Sequence, residues 1–246
     1  IIKTSEKKAK KKKKGEKMFS KVYQPGLICI FDADNEKPLK IWEKKIQDGS
    51  VKRILSDEIR GLVLEISSKM PMSNYIYCPS NIKQSLNIYY PYLHLTVKLS
   101  YSSIFAFDVL IIDDENVKRR FRISTIQTFV DIQPFMCKLP LSLESGWNEI
   151  TVPLHHYVKS IYGTNYSKTQ RVAIYSNCFL KKIYFSDKEY SDEDIPLEFH
   201  IEDIDFQENY QNKLSGVLQK KKMSLSYYPD LIQKNNKNSS FKKLFI

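Results

Sequence analysis

Residues 147–185 narrow the possible folds more than any other stretch of the chain. From 147 to 153 the pattern alternates, with Trp147, Glu149 and Thr151 on one side and Ile150 and Val152 on the other, as a strand with unequal faces requires. Past Pro153 the apolar positions are Leu154, Tyr157, Val158 and Ile161, a helical spacing, and Gly163 supplies a stop. Strand character returns at 171–175 and 179–185, with Ser176 and Asn177 between them. A short helix thus interrupts a run of strands. An antiparallel sandwich with one helical crossover accommodates that order, whereas a doubly wound α/β domain needs longer helices in strict alternation.

The preceding residues keep the same tempo. Strand candidates at 27–31, 51–55, 61–66, 74–78 and 89–100 are separated by Pro25-Gly26, Asp48-Gly49, Pro71 and Pro79. Trp42 reads as a core filler. The clearest hairpin joins 104–112 to 117–123 through Asp113, Asp114, Glu115 and Asn116, a common loop length. On its return strand Val117, Arg119, Phe121 and Ile123 share one face, and Lys118, Arg120 and Arg122 share the other. A row of like charges needs solvent or an anionic partner. An ordinary solvated face, an acidic protein partner and nucleic acid all satisfy that need. Arg120 and Arg122 are the better anchors, because a guanidinium engages carboxylates in pairs. Lys181 and Lys182 are expected to extend this basic surface.

Charge is unevenly distributed. Residues 1–17 carry nine Lys and two Glu, and residues 211–246 carry eight Lys and one Asp, so each end holds +7 of a total of +11. The middle, 18–210, is left at −3, which argues against a basic nucleic-acid-binding body. The Lys-rich arm reads as a flexible extension, a clamp on an acidic surface, or a nuclear or nucleic-acid tract. In the tail, Leu218, Tyr227, Tyr228 and Phe241 are spaced apolar anchors, expected to become ordered only against a partner outside the domain.

Chemistry-bearing residues are scattered. Cys29, Cys78, Cys137 and Cys178 have no paired spacing and read as reduced core cysteines of a reducing compartment. His94 lies among apolar residues and reads as structural, and the adjacent His155 and His156 face different directions on a helix. Nucleophile-elbow, zinc-protease, Walker and dinucleotide-binding motifs are missing from the sequence. Catalysis, metals and cofactors are therefore not expected, and no segment approaches the roughly 20 apolar residues of a membrane span. Ser191 with Glu193 and Asp194 resembles a helix cap limited to about one turn by Pro196.

Several dispersed runs, in order, carry a resemblance: MFSKVYQPGLICI, PLKIWEKK, GSVKRI, LVLEI, DDENVKRRFR, QPFMCKLPLSL, GWNEI, YGTNY, RVAIYSNC and YFSDKEYSDEDIPLEF. Over residues 18–199 the chain resembles the small cilia- and flagella-associated protein family of the inner junction of axonemal doublet microtubules. The resemblance implies a non-catalytic β-sandwich that binds tubulin and neighbouring axonemal proteins and helps to link the B-tubule to the A-tubule. The Lys-rich arm is an addition to the family pattern. Asp131, and a position near Gln133, stand where the family carries basic residues, as in a paralogue with another address such as basal-body triplets. A carbohydrate- or small-ligand-binding sandwich is the alternative of a different class, and it requires an open cleft lined by aromatics.

The expected architecture is all-β: one jelly-roll-like sandwich over 18–199 with a short crossover helix, a Lys-rich arm at 1–17 and an acidic-then-basic tail at 200–246. The expected interface residues are Lys118, Arg120, Arg122, Lys181 and Lys182. The expected partners are tubulin and acidic protein surfaces in the ciliary axoneme, with neither membrane nor nucleic acid.

Overall fold

A computed structural model describes residues 18–19, 26–100, 104–191 and 193–199, together with the backbone of 218–222. Tyr227, Tyr228, Phe241 and the arm before Met18 lie outside the described residues.

Two mainly antiparallel sheets enclose one core. Among the described residues the first sheet holds β1 (Leu27–Asp32), β3 (Ser50–Leu55), β4 (Leu62–Ser67), β6 (Tyr92–Leu99), β11 (Trp147–Pro153), β13 (Cys178–Ser186) and β14 (Leu218–Lys222). Its order is β14-β11-β6-β13-β4-β3, and β1 pairs with the far half of β13. The second sheet runs β2 (Glu43–Lys45), β5 (Tyr75–Cys78), β12 (Tyr166–Tyr175), β7 (Ala106–Asp113), β8 (Lys118–Ser124), β10 (Met136–Pro140) and β9 (Asp131–Ile132). Inward residues alternate along these strands, as the pleat demands: Phe107, Val109 and Ile111 on β7, Phe121 and Ile123 on β8, Val172 and Ile174 on β12, and Leu93, Leu95 and Val97 on β6 are all fully buried. Trp42 closes one end of the core, its Nε1 donating to the Ile30 carbonyl at 2.7 Å.

The helix α1 (Leu154–Tyr162) follows β11 directly. Its buried residues are Leu154, Tyr157, Val158 and Ile161, the four positions that the sequence spacing selects. It stops at Gly163, whose φ of 74° is a left-handed conformation that glycine adopts at little cost, and whose N–H donates to the Lys159 carbonyl. The hairpin of β7 and β8 is closed by Asp113: its N–H donates to the Val117 carbonyl, and its carboxylate accepts from the Val117 N–H. The strands on either side of Ser176-Asn177, β12 and β13, belong to different sheets, so this junction carries the chain across the sandwich.

Within the tail, Leu218–Lys222 pairs in parallel with β11 of the same chain.

Candidate protein-docking face

The outward face of the second sheet is built by cross-strand register. Residues paired across neighbouring strands point the same way, which yields one continuous row: Glu43, Tyr77, Ala173, Asp108, Arg122, Lys138 and Asp131. From Asp108 to Asp131 this row neutralises itself. Arg122 Nε and Nη2 each donate to the Asp108 carboxylate at 2.8 Å, and Nη2 also donates to the Tyr175 hydroxyl at 3.0 Å. Lys138 Nζ lies 2.9 Å from Asp131. The hydrogen bond from Arg122 to Asp108 holds the guanidinium well above its usual pKa despite partial burial. Burial, and then the Asp108 charge, push the Tyr175 hydroxyl up to about 12.

The next rows, toward the hairpin turn, differ. One is Arg171, Leu110, Arg120 and Met136; the other is Lys168, Ile112 and Lys118. Neither contains an acid. Lys118 and Arg120 are exposed, and among the described residues neither has an ion pair. Arg171 lies 5.4 Å over the Tyr77 ring and donates to the Ile82 carbonyl at 3.1 Å. Burial lowers its pKa, and the nearby positive charge of Arg120 acts in the same direction. The register thus sets Arg171 and Arg120 in one row on either side of Leu110, with no acid in that row. The turn beyond them is acidic, and two of its carboxylates are engaged: Asp113 binds Arg119 at 3.1 Å, and Asp114 accepts from Asn165.

The expected interface residues separate into three groups. Lys118 and Arg120 are exposed cations on the face, without an ion pair among the described residues. Arg122 is on the face, but its charge is bound by Asp108. Lys181 and Lys182 do not extend the basic surface: they are 4% and 6% exposed. Lys181 Nζ sits 2.5 Å from Asp34 Oδ2 and donates to the carbonyls of Arg60 and Leu62. Gly61 makes room for this cluster, since a Cβ there would lie 2.4 Å from Asp34 Oδ1. Partial burial raises the Asp34 pKa, but hydrogen bonds from Lys181 and the Leu62 N–H outweigh it and hold the carboxyl below its usual range. Lys182 pairs with Asp32 at 3.0 Å, donates to the Glu198 carbonyl and lies under the Phe199 ring. The short 3₁₀ turn Leu197–Phe199 covers this part of the first sheet, which is why a strand lysine is buried there. Sequence reasoning missed Arg171 and the tyrosines beside it, because they reach the face from strands remote in the chain.

Other chemistry-bearing groups serve the fold. His94 is buried between Thr151 Oγ1 at 3.0 Å and Ser186 Oγ at 2.8 Å and stacks on Tyr184, and burial lowers its pKa to about 4. Cys78, Cys137 and Cys178 are buried free thiols, the second pushed up to about 12 by burial; Cys29 is free and exposed. A cavity of about 370 Å³ is lined by Asp48, Ser67, Ser68 and Asn177 among others. Its one carboxylate, Asp48, is committed to the loop that follows β4, accepting from Ser68 Oγ, Ser73 Oγ and the Met70 N–H. Among the described residues no group of three His, Cys, Asp or Glu converges as a metal site would require.

A family model described as the CFA20 domain matches residues 18–203. The chain is 40% identical over 184 residues to "Cilia- and flagella-associated protein 20" of Chlamydomonas reinhardtii, covering 75% of this chain and 96% of that one. It is 41% identical, with the same coverage, to the protein of that name from Paramecium tetraurelia. A family 11 carbohydrate-binding module from Clostridium thermocellum aligns over 68% of this chain and 98% of its own, at 12% identity and a TM-score of 0.37, a likeness that assigns no ligand.

Proposed function

Because the chain belongs to the CFA20 domain family, we propose that it is a non-catalytic structural protein of the ciliary axoneme that docks on acidic protein surface of the microtubule lattice. In this reading it bridges A- and B-tubules at the doublet inner junction, with tubulin as a partner. The observation that carries the docking surface is the pair of acid-free rows on the second sheet, where Lys118, Arg120 and Arg171 are spaced by Leu110, Ile112 and Met136. A rigid sheet presents these cations at fixed spacing, which a lysine-rich tail cannot do. Exposed ion pairs contribute only about 0–1 kcal/mol each, so occupancy rests on their number and on lattice avidity.

A basal-body or other microtubule address is the second reading. It is favoured by Asp131, which neutralises Lys138 on this same face and alters its charge pattern. A sugar platform fits less well. Sugars stack on open ring faces, whereas Arg171 and Arg122 lie over the Tyr77 and Tyr175 rings.

The test is co-sedimentation of the full chain with microtubules across a salt series. Docking through the sheet predicts that deleting residues 1–17 leaves most of the binding, while Arg120→Glu with Arg171→Glu removes most of it. Binding that vanishes with the arm and survives the sheet substitutions would reject this surface.

A further inference from the structure

Exposed strand edges are templates for unwanted pairing, and folded domains guard them by shortness, charge, bulges or cover. Most edges here are guarded within the domain itself. β2 has three residues, all charged and exposed, and β9 has two. β3 presents Lys52 and Arg53 to solvent, and β1 is broken by a register shift between Cys29 and Phe31. β11 is different. It is seven residues long, WNEITVP, with five of them buried and Glu149 as its one charge.

The edge of β11 is covered by Leu218–Lys222, which lies beyond the matched family domain ending at 203. The backbone register sets Leu218 opposite Trp147 and Lys220 opposite Glu149. Five residues in a parallel pairing make a weak attachment. Eighteen residues, 200–217, join this strand to the domain. Fully extended they span about 60 Å, several times the roughly 16 Å radius of gyration of a domain of this size, so the strand can leave without disturbing the sandwich.

We propose that the β11 edge is a strand-docking site and that Leu218–Lys222 is its intramolecular occupant, a detachable cap and not an integral strand of the domain. The cap shields an apolar edge in the free protein. The site selects an extended segment whose register sets an apolar residue opposite Trp147 and a base opposite Glu149.

Hydrogen exchange on the full chain tests this, comparing wild type with Gln219→Pro/Lys220→Pro. Adjacent prolines remove at least one donor from the edge pairing whichever residue faces β11. The expected result is at least tenfold faster exchange of the β11 amides that point away from β6, with β6 and β13 unchanged. A fluorescein-labelled peptide of residues 214–225 should then bind the proline variant at least tenfold more tightly than wild type, because the cis cap no longer competes. Lys220→Glu, which sets like charges abreast at Glu149, should give a smaller increase in exchange. Equal exchange in wild type and the proline variant, or equal peptide binding, would overturn the proposal. Protection of β11 that falls on dilution would show that the strand comes from a second copy, and would overturn the intramolecular assignment.

Discussion

Lys118 and Arg120 on β8, and Lys181 and Lys182 on β13, are both short basic runs on strands of one sandwich, yet the fold treats them in opposite ways. On β8 the cross-strand neighbours are Ile112 and Leu110, so the charges remain unanswered and exposed. On β13 Asp34 answers Lys181, and Asp32 answers Lys182, over which the Leu197–Phe199 turn closes. A basic residue becomes a docking group or a structural one according to whether the domain brings it an acid. Arg122 stands between these extremes, on the docking face but bound to Asp108.

The comparison breaks most visibly at Lys181. Lys181→Met leaves two carbonyls and the half-exposed Asp34 carboxylate without their donor. We expect a loss of about 2–3 kcal/mol, less than for a fully buried pair because water reaches Asp34, and a fall in Tm of about 5–10 °C. Lattice affinity of the folded fraction should be unchanged, which parallel melting and sedimentation experiments would read.

A pH series sharpens the same contrast without mutation. His94 has a folded pKa near 4 against 6.5 for the free side chain. As pH falls below 6.5 the unfolded chain takes up a proton that the folded chain refuses, so the contribution is full at neutral pH and is lost progressively toward pH 4. From pH 7 to 5 denaturant melts should show about 2 kcal/mol lost through this residue, and His94→Gln should flatten that slope.

Asp108→Asn separates fold from docking at a single position. Losing the two-bond carboxylate contact of Arg122 should cost about 1–3 kcal/mol. It also releases a cation onto the face, so microtubule binding measured at low salt should tighten while the melting temperature falls.

How much of this was legible in the sequence follows from the range of the interactions. The α1 face and its Gly163 stop are local, and the alternation of β8 is local too. The pairing of Arg122 with Asp108 could also have been read: counting outward from a turn closed by Asp113 and Val117 sets these two opposite each other. What brings Lys181 to Asp34, or Arg171 to Tyr77, is sheet order, and no local periodicity records it. The same holds for β12 and β13, adjacent in sequence but assigned to different sheets, and for β14, whose LQKKK sequence carries little strand signal until an open edge is offered to it.

The docking claim is tested most directly by reversing the free cations and no others. The account predicts that a full chain carrying Lys118→Glu and Arg120→Glu enters axonemes at about one tenth of wild-type occupancy or less, while its melting temperature stays within about 2 °C, as exposed substitutions away from structural contacts generally do. Wild-type occupancy with both charges reversed, beside an unchanged melting curve, would contradict it.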